Sequence, residues 1–286
     1  KEKHWTSLVS GTSNFLYDLK FINMKEGWVV GDNVILHTID GGDFWEKQNG
    51  NISNIWKSVD FIDSNTGWIV GSKGKIIKTI DGGKNWLLQN SNISQDIASV
   101  DFVDSDTGWA ISTNNVIKTQ DGGETWRILN SKVMRGKVHF TDNMNGFISS
   151  GYVTNSGGID WQSYPFDMKD FYAFDTKNIY SCLGRNNYNN TFDFYKSSNG
   201  GANWTGFNFD NKEDRRNNGI YFINSEIGWV VSEDGVYKTI NGGQNWTQEV
   251  KTSFTSGRYP YHIQFVDENN GWIVGKKGVI LHTNDG

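Results

Sequence analysis

Several features that this sequence lacks narrow its class. A single cysteine, Cys182, excludes an internal disulfide and leaves the redox compartment open. No apolar run approaches the roughly 20 residues that a transmembrane helix needs, so we do not expect the chain to span a membrane. Helical periodicity is absent and there are only 2 prolines, whereas 33 glycines and 14% aromatic residues supply turns and strands. This balance is typical of an all-β protein.

Charge and histidine placement argue against two further classes of protein. A net charge of -5 argues against general nucleic-acid binding, because proteins that bind phosphate backbones carry excess positive charge. The histidines are His4, His37, His139, His262 and His282, and none has the spacing of a metal ligand set. His139 and His262 are expected on inner strands, either lining a central channel or in ordinary packing. We therefore predict no metal site and no cofactor.

A motif of the form Thr-x-Asp-Gly-Gly-x-x-Trp recurs through the chain. Its clearest copy runs from Thr79 to Trp86. The position normally held by aspartate is occupied in turn by Asp40, Asp81, Asp121, Ser156, Asn199, Asn241 and Asp285, with spacings of 41, 40, 35, 43, 42 and 44 residues. Seven copies at such a period indicate a stacked-repeat architecture.

A second landmark, a strand ending near Phe-x-Asp or Phe-x-Asn and then a Gly-Trp pair, precedes each motif. The aromatic members of these pairs are Trp28, Trp68, Trp109, Phe147, Tyr180, Trp229 and Trp272. Each repeat therefore has room for four short strands, A to D, which in the second repeat are predicted at 58–61, 68–71, 76–79 and 86–89. Such units predict a single all-β domain over 1–286, a seven-bladed β-propeller of four-stranded antiparallel blades. The blades are expected at roughly 15–50, 55–91, 96–130, 136–164, 170–208, 218–250 and 260–286 plus 3–10.

One copy of the motif is divided between the two ends of the chain. The seventh copy stops at Asp285-Gly286, and Trp5 supplies its missing tryptophan. Residues near 5–9 are therefore expected to form strand D of the last blade. Such a clasp closes the ring noncovalently, so removing residues 1–10 is expected to cost more stability than an ordinary terminal truncation.

The pattern Gly-Trp-x-Val-Gly-x-x-Gly-x-Ile-x-x-Thr-x-Asp-Gly-Gly-x-x-Trp resembles the Asp-box (BNR) propellers and, within them, the photosystem II stability/assembly factor family. Residues 67–86 and 271–286 match it most closely, and the resemblance covers essentially the whole chain. It implies a propeller that binds a protein client on an arginine-rich face. Proteins of this type also occur in bacteria without a photosystem, so the resemblance does not imply photosynthesis.

The aspartates of the motif have a structural and a chemical interpretation. A carboxylate in a tight hairpin accepts hydrogen bonds from backbone N–H groups, while the glycines adopt conformations closed to other residues. The motif tryptophan is then expected to be buried between sheets. Ser156, Asn199 and Asn241 replace the aspartate in three copies, a change that a general acid would not survive, so we assign the motif a structural role. Calcium binding is the alternative.

One end of the propeller is predicted to be the binding face. The A–B and motif turns keep nearly constant lengths, whereas the B–C and D–A connections at the other end vary and include an insertion at 184–191. Trp56 lies outside the repeat pattern and is either a cap at the blade top or an anchor for a partner. The other candidate binding residues are Arg135, Arg185, Arg215, Arg216, Arg258 and Tyr259. The alternative is that these arginines are ordinary solvated charges on surface loops.

Two classes of function remain open. The first is a noncatalytic propeller that binds a protein or peptide partner through this rim, as an assembly or scaffold factor. The second is a glycan-active or glycan-binding protein, since sialidases and xyloglucan hydrolases also carry Asp-boxes. Glycoside hydrolysis needs two carboxylates about 5–10 Å apart, for which Asp60 and Asp101 are the pair to test. We favour the first class and predict no catalytic residue.

The sequence does not identify the partner. We expect a protein or peptide and no nucleic acid, and a monomer compatible with peripheral association at a membrane. Because the chain begins at Lys1 without methionine, we interpret its N-terminus as processed or trimmed and expect export to a bacterial periplasm or cell surface.

Overall fold

Seven four-stranded antiparallel sheets form a ring in the computed structural model. The structure describes residues 4–50, 52–130, 136–164, 168–182, 192–208, 217–250 and 259–286. Within these ranges two short 3-10 helices occur, at Ser72–Gly74 and Lys276–Gly278, and neither is long and apolar enough to cross a membrane. The predicted all-β seven-bladed propeller is confirmed.

Each sheet is one blade, and in blades one to six the strands follow chain order from the inner strand A to the outer strand D. The first strand is β1 (Thr6–Leu8). Blade one contains β2 (Leu16–Phe21), β3 (Gly27–Gly31), β4 (Val34–Thr38) and β5 (Glu46–Lys47). Blade two contains β6 (Trp56–Phe61), β7 (Gly67–Gly71), β8 (Lys75–Thr79) and β9 (Leu87–Asn90). Blade three contains β10 (Ile97–Phe102), β11 (Thr107–Ser112), β12 (Val116–Gln120) and β13 (Arg127–Asn130).

The remaining blades repeat this arrangement. Blade four contains β14 (Val138–Phe140), β15 (Gly146–Ile148), β16 (Tyr152–Thr154) and β17 (Gln162–Ser163). Blade five contains β18 (Asp170–Ala173), β19 (Ile179–Cys182), β20 (Phe194–Ser197) and β21 (Thr205–Phe207). Blade six contains β22 (Asn217–Phe222), β23 (Gly228–Ser232), β24 (Gly235–Thr239) and β25 (Thr247–Val250). Blade seven contains β26 (Pro260–Phe265), β27 (Gly271–Gly275), β28 (Ile280–Thr283) and β1.

The Asp-box is a hydrogen-bonded turn between strands C and D. In blade two the Thr79 hydroxyl donates to Asp81 at 2.8 Å and accepts from the N–H of Gly83 at 2.8 Å, while Asp81 accepts from the N–H of Asn85 at 2.9 Å. Ser156, Asn199 and Asn241 accept the corresponding N–H bond in their own boxes. Since serine and asparagine oxygens serve equally well, these contacts agree with the structural role predicted for the motif.

The two ends of the propeller differ in what they carry. In blade two the box N–H of Gly82 donates to the A–B turn carbonyl of Asn65 at 2.9 Å, and the other blades repeat this bond, so boxes and A–B turns share one end. We call that end the box rim. At the opposite end the N–H of Ser72, in a B–C connection, donates to the carbonyl of Ile55, just before strand A, at 3.0 Å. We call this end, which carries the B–C and D–A connections, the variable rim.

Stacked aromatic rings join neighbouring blades. The strand B ring of one blade lies on the strand A phenylalanine of the next, with centroids 3.6 Å apart for Trp28 and Phe61 and 3.8 Å apart for Tyr180 and Phe222. The junction of blades four and five departs from this pattern, because Ala173 stands in place of the strand A phenylalanine and Phe147 meets Phe171 edge-on at 6.4 Å. Burial of these rings contributes to the packing between blades.

The N-terminal strand closes the ring as predicted. Residues Thr6, Ser7 and Leu8 pair with His282, Leu281 and Ile280. The N–H of His4 donates to Asp285 at 3.1 Å, so it completes the seventh box in the place that Phe44 takes in the first. The Trp5 ring meets Phe265 edge-on at 5.8 Å, the same contact that Trp86 makes with Phe61. Both ends of the chain therefore contribute to one blade.

Candidate functional site

The residues predicted to bind a partner fall into two groups. Five of them lie outside the described residues, together with the insertion at 184–191, and these are Arg135, Arg185, Arg215, Arg216 and Arg258. Their role in binding stays a prediction. The structure describes the other two and places Trp56 in the core and Tyr259 half-buried on the variable rim.

Trp56 is a core residue and not an exposed anchor. Its side chain is 1% exposed and packs against Trp28 and Val59 between blades one and two. The first residue of strand A is also buried in other blades, as Leu16, Ile97, Asn217 and Pro260. Trp56 therefore fills a periodic core position with a larger side chain. The alternative of a surface anchor at this position is corrected, because a ring shielded from solvent cannot contact a partner.

Tyr259 belongs to a group of aromatic rings and lysines where blades seven, one and two meet. We call it the tyrosine–lysine cluster, and its half-buried members are Phe15, Tyr17, Lys57, Tyr259, Tyr261 and Lys276. The Lys57 Nζ atom lies 4.1 Å from the centroid of the Tyr17 ring, and the Lys276 Nζ atom lies 5.0 Å from that of Tyr259. The Tyr17 and Tyr261 ring centroids are 5.5 Å apart, so this pair of rings joins the part of the cluster around Lys57 to the part around Lys276.

Loop hydrogen bonds hold this cluster in position. The N–H of Asp32 donates to the Phe15 carbonyl at 2.9 Å, and the N–H of Lys276 donates to the Tyr259 carbonyl at 2.9 Å. Burial, together with the negative charge of the nearby Asp32 carboxylate, raises the pKa of Tyr17 to about 12. Tyr17 therefore remains a neutral hydrogen-bond donor near neutral pH.

The inner strands line a second polar region, a channel cavity of about 220 Å³. Charges of opposite sign are paired along its wall. Lys20 Nζ lies 2.7 Å from Asp60 Oδ1, Lys137 Nζ lies 3.0 Å from Asp170 Oδ1, and His262 contacts Asp18. His139 and His262 both line the channel, which is one of the two alternatives left open for these inner-strand residues.

The channel carboxylates link each inner strand to the next blade. Each accepts a backbone N–H, Asp18 from Val59 at 3.0 Å, Asp60 from Phe102 at 2.7 Å, Asp101 from Phe140 at 2.7 Å and Asp170 from Ile220 at 3.1 Å. An N–H on an inner strand has no neighbouring strand to bond, so these carboxylates satisfy groups that burial would otherwise leave unpaired. Asp60 and Asp101, the pair considered for glycoside hydrolysis, are thus engaged in holding blades together.

His139 connects three blades across the channel wall. Its Nδ1 lies 3.1 Å from Asp101 Oδ1 in blade three, and its Nε2 lies 3.1 Å from the Ala173 carbonyl oxygen in blade five. Both neighbours are acceptors, and only the protonated imidazolium carries two N–H donors. Burial by itself would lower the pKa of His139, but the Asp101 carboxylate outweighs it and the net shift is upward. The geometry therefore favours a charged His139.

We expect His139→Gln to lower the stability of the protein in acid and to have little effect in alkali. Because the folded-state pKa of His139 is raised, its contribution is complete below the ordinary imidazole pKa of about 6.5 and is lost as pH rises through the raised value. Urea midpoints of the wild type and the variant, measured at several pH values, should converge towards alkali.

His282→Gln is the control for this experiment. Burial lowers the pKa of His282, so the wild type should lose stability relative to this variant as pH falls, which is the opposite trend. A difference between wild type and His139→Gln that is constant with pH would contradict a charged His139.

Sequence reasoning found only Tyr259 in the tyrosine–lysine cluster. Its aromatic members occupy the same two places in blades one and seven, six and four residues before the strand A phenylalanine, and these are Phe15, Tyr17, Tyr259 and Tyr261. Blade two has Ile55 and Lys57 at these places. Alignment of the repeats on the strand A phenylalanine would have shown that aromatic residues recur at these two places. It would not have shown that blades one and seven are neighbours, which follows from closure of the ring.

Comparison with known proteins identifies relatives of this fold. The model of the family described as photosynthesis system II assembly factor YCF48 matches residues 1–87 and 45–159, which together are more than half of the chain. No curated protein sequence matches the chain.

Solved structures of similar shape include two members of that family. The structure "YCF48 bound to D1 peptide" has a TM-score of 0.80 and 21% identity, and the alignment covers 100% of this chain and 96% of that one. YCF48 from Cyanidioschyzon merolae has a TM-score of 0.75 and 18% identity, with 98% of each chain covered. A GH74 xyloglucanase from Xanthomonas campestris has a TM-score of 0.74 and 12% identity, with 99% of this chain but 54% of that one covered. At such identities these structures show a shared fold and no more.

Proposed function

This chain belongs to the family of the photosynthesis system II assembly factor YCF48, and on that premise we propose that it binds a peptide segment of a partner protein on the variable rim. The family is one of assembly factors and not of enzymes, which agrees with the prediction of a noncatalytic propeller. Asp60 and Asp101 accept hydrogen bonds from backbone N–H groups of the next blade. The glycosidase alternative therefore lacks a free pair of carboxylates at these positions.

The observation that carries this proposal is the tyrosine–lysine cluster. It places ring faces and lysines, half open to solvent, on the rim where connection lengths vary. Aromatic rings and cations on a rigid scaffold are the usual anchors for a peptide. The D1 peptide bound to YCF48 in a solved structure supports a peptide as the class of ligand.

The finer features of the function are also proposals. We propose that the partner is a client during assembly and that the protein acts as a monomer, exported to a bacterial periplasm or cell surface. Peripheral association with a membrane is compatible with this role.

Charge reversal of two rim arginines tests the proposed face. Arg215→Glu with Arg216→Glu is expected to weaken binding to peptides selected from a random library on the wild-type protein by about tenfold, because each change replaces attraction by repulsion. Fluorescence anisotropy of the selected peptides measures the loss, and the melting temperature should hardly change.

The matched control has the same change of charge away from the variable rim. Arg127 starts strand D of blade three and Lys84 lies in an Asp-box, so Arg127→Glu with Lys84→Glu tests charge alone. If both double variants bind equally well, the rim assignment is wrong; if no peptide is selected at all, the proposed function is wrong.

A further inference from the structure

The tyrosine–lysine cluster contains two cations that form no ion pair with a carboxylate of the described residues. Among the described residues, no carboxylate oxygen lies within 4.0 Å of the ammonium group of Lys57 or of Lys276, whereas Lys20 and Lys137 in the channel each have such a partner. Both cluster lysines are half-buried, so water hydrates them incompletely. In a chain of net charge -5, two such cations against one group of rings favour the binding of an anion.

Aromatic rings surround these two ammonium groups on one side. Lys276 Nζ lies 5.0 to 6.0 Å from the centroids of Phe15, Tyr259 and Tyr261, and Lys57 Nζ lies 4.1 Å from that of Tyr17. A ring face attracts an ammonium group but leaves its other N–H donors available. The Asp32 carboxylate acts on Tyr17, whose pKa its negative charge helps to raise, and does not lie within 4.0 Å of either ammonium group.

The arrangement of the aromatic rings also favours a ligand that carries a planar side chain next to its anionic group. Tyr17 and Tyr261 form a tilted pair with an interplanar angle of 34°, and Phe15 meets Tyr17 edge-on at 6.4 Å. Half-buried ring surfaces of this kind stack on planar or apolar side chains of a ligand. Arg258, one of the predicted binding residues, directly precedes Tyr259 in the sequence.

We propose that the tyrosine–lysine cluster is the subsite that selects the peptide, and that it recognises an aspartate or glutamate side chain next to an aromatic residue. Lys57 and Lys276 donate charge-assisted hydrogen bonds to the carboxylate. The rings of Tyr17 and Tyr261 contact the neighbouring aromatic side chain. This inference rests on the proposed function, since it gives the chemistry of the ligand at the same rim.

Short peptides of defined chemistry test the subsite without knowledge of the natural partner. The probe is N-acetyl-Glu-Tyr-amide, and its comparison is the Gln-Tyr peptide, which has the same shape without the charge. Ligand-observed NMR titration of the wild type is expected to show binding about tenfold tighter for the Glu peptide, and weaker binding at high salt. Lys57→Met with Lys276→Met should abolish this preference while retaining the side-chain stems.

Lys118→Met is the matched control, because Lys118 Nζ also lies over a ring, 4.5 Å from that of Trp109, but on strand C and away from the variable rim. It should leave the Glu preference intact. Equal binding of the Glu and Gln peptides, or an unchanged preference in the double lysine variant, would overturn the subsite. Tighter binding of methyl β-D-glucuronide than of the Glu peptide would also overturn it and would indicate a glycan ligand.

The outcomes separate this inference from the proposed function. If library peptides bind the wild type but show no dependence on Lys57 and Lys276, peptide binding stands and the subsite is wrong. If neither the library peptides nor the Glu-Tyr probe binds, the proposed function is wrong and the subsite that rests on it falls with it.

Discussion

Removing residues 1–8 is expected to destabilise this propeller by more than about 4 kcal/mol, a large share of the stability of a typical domain. The deletion takes away β1, which pairs with β28, and the His4 N–H that completes the seventh box. It also exposes Phe265, whose ring the Trp5 side chain covers. Truncation of a fully buried tryptophan costs about 3–5 kcal/mol, the half-buried Trp5 contributes less, and the loss of β1 adds an unpaired edge at β28.

Two variants separate the clasp from an ordinary truncation. Trp5→Ala keeps the strand and should lose less than the deletion, whereas Val9→Ser changes a side chain that is 82% exposed and should alter stability by less than about 0.5 kcal/mol. Guanidinium unfolding followed by tryptophan fluorescence measures all three. A deletion variant that unfolds at the wild-type midpoint would show that the ring does not depend on this strand.

Replacing Asp60 with alanine is expected to cost about 3 kcal/mol. The carboxylate is 4% exposed and has two partners, the Lys20 ammonium at 2.7 Å and the Phe102 N–H at 2.7 Å. Its removal leaves a lysine without its counter-charge and a backbone donor without an acceptor, and both penalties add to the loss. Lys20 can recover some hydration because its side chain is 35% exposed in the channel, which moderates the loss.

The design of this experiment also addresses the glycosidase alternative. Asp60→Asn keeps an acceptor for the Phe102 N–H and should therefore lose less stability than Asp60→Ala. Glu124→Ala removes the same charge from an exposed position and should have little effect. Wild-type stability retained in Asp60→Ala, together with loss of a glycosidase activity, would contradict the structural role.

The repeat made most of the fold predictable. Because each blade carries a version of the Asp-box and an aromatic residue at the tryptophan position of the Gly-Trp pair, their spacing fixed the number of blades, and the division between Asp285 and Trp5 fixed the closure. Strand bounds were less well predicted: in blade two, strand A begins at Trp56 and not at Ser58. The register shifts between Trp56 and Ser58, and pairing with β7 continues beyond this irregularity as far as Trp56 and Gly71.

The candidate site was predictable only in part. The variable rim followed from loop lengths, and Tyr259 was among its predicted residues. Trp56 was misjudged as a possible anchor because departure from a repeat pattern does not reveal on which side of a sheet a ring lies. The tyrosine–lysine cluster was missed because Tyr17 and Tyr261 stand at opposite ends of the sequence.

The sequence by itself determined the architecture of this protein, since periodic Asp-boxes and aromatic pairs are local signals that repeat the same turn and the same packing surface. The tertiary structure decided which side chains meet. Closing the ring brings blades seven, one and two together, and so sets Lys276 beside rings from both ends of the chain. It also turns Asp60 and Asp101 towards the N–H groups of the next blade. Such contacts depend on the angle and order of the blades, which no local pattern specifies.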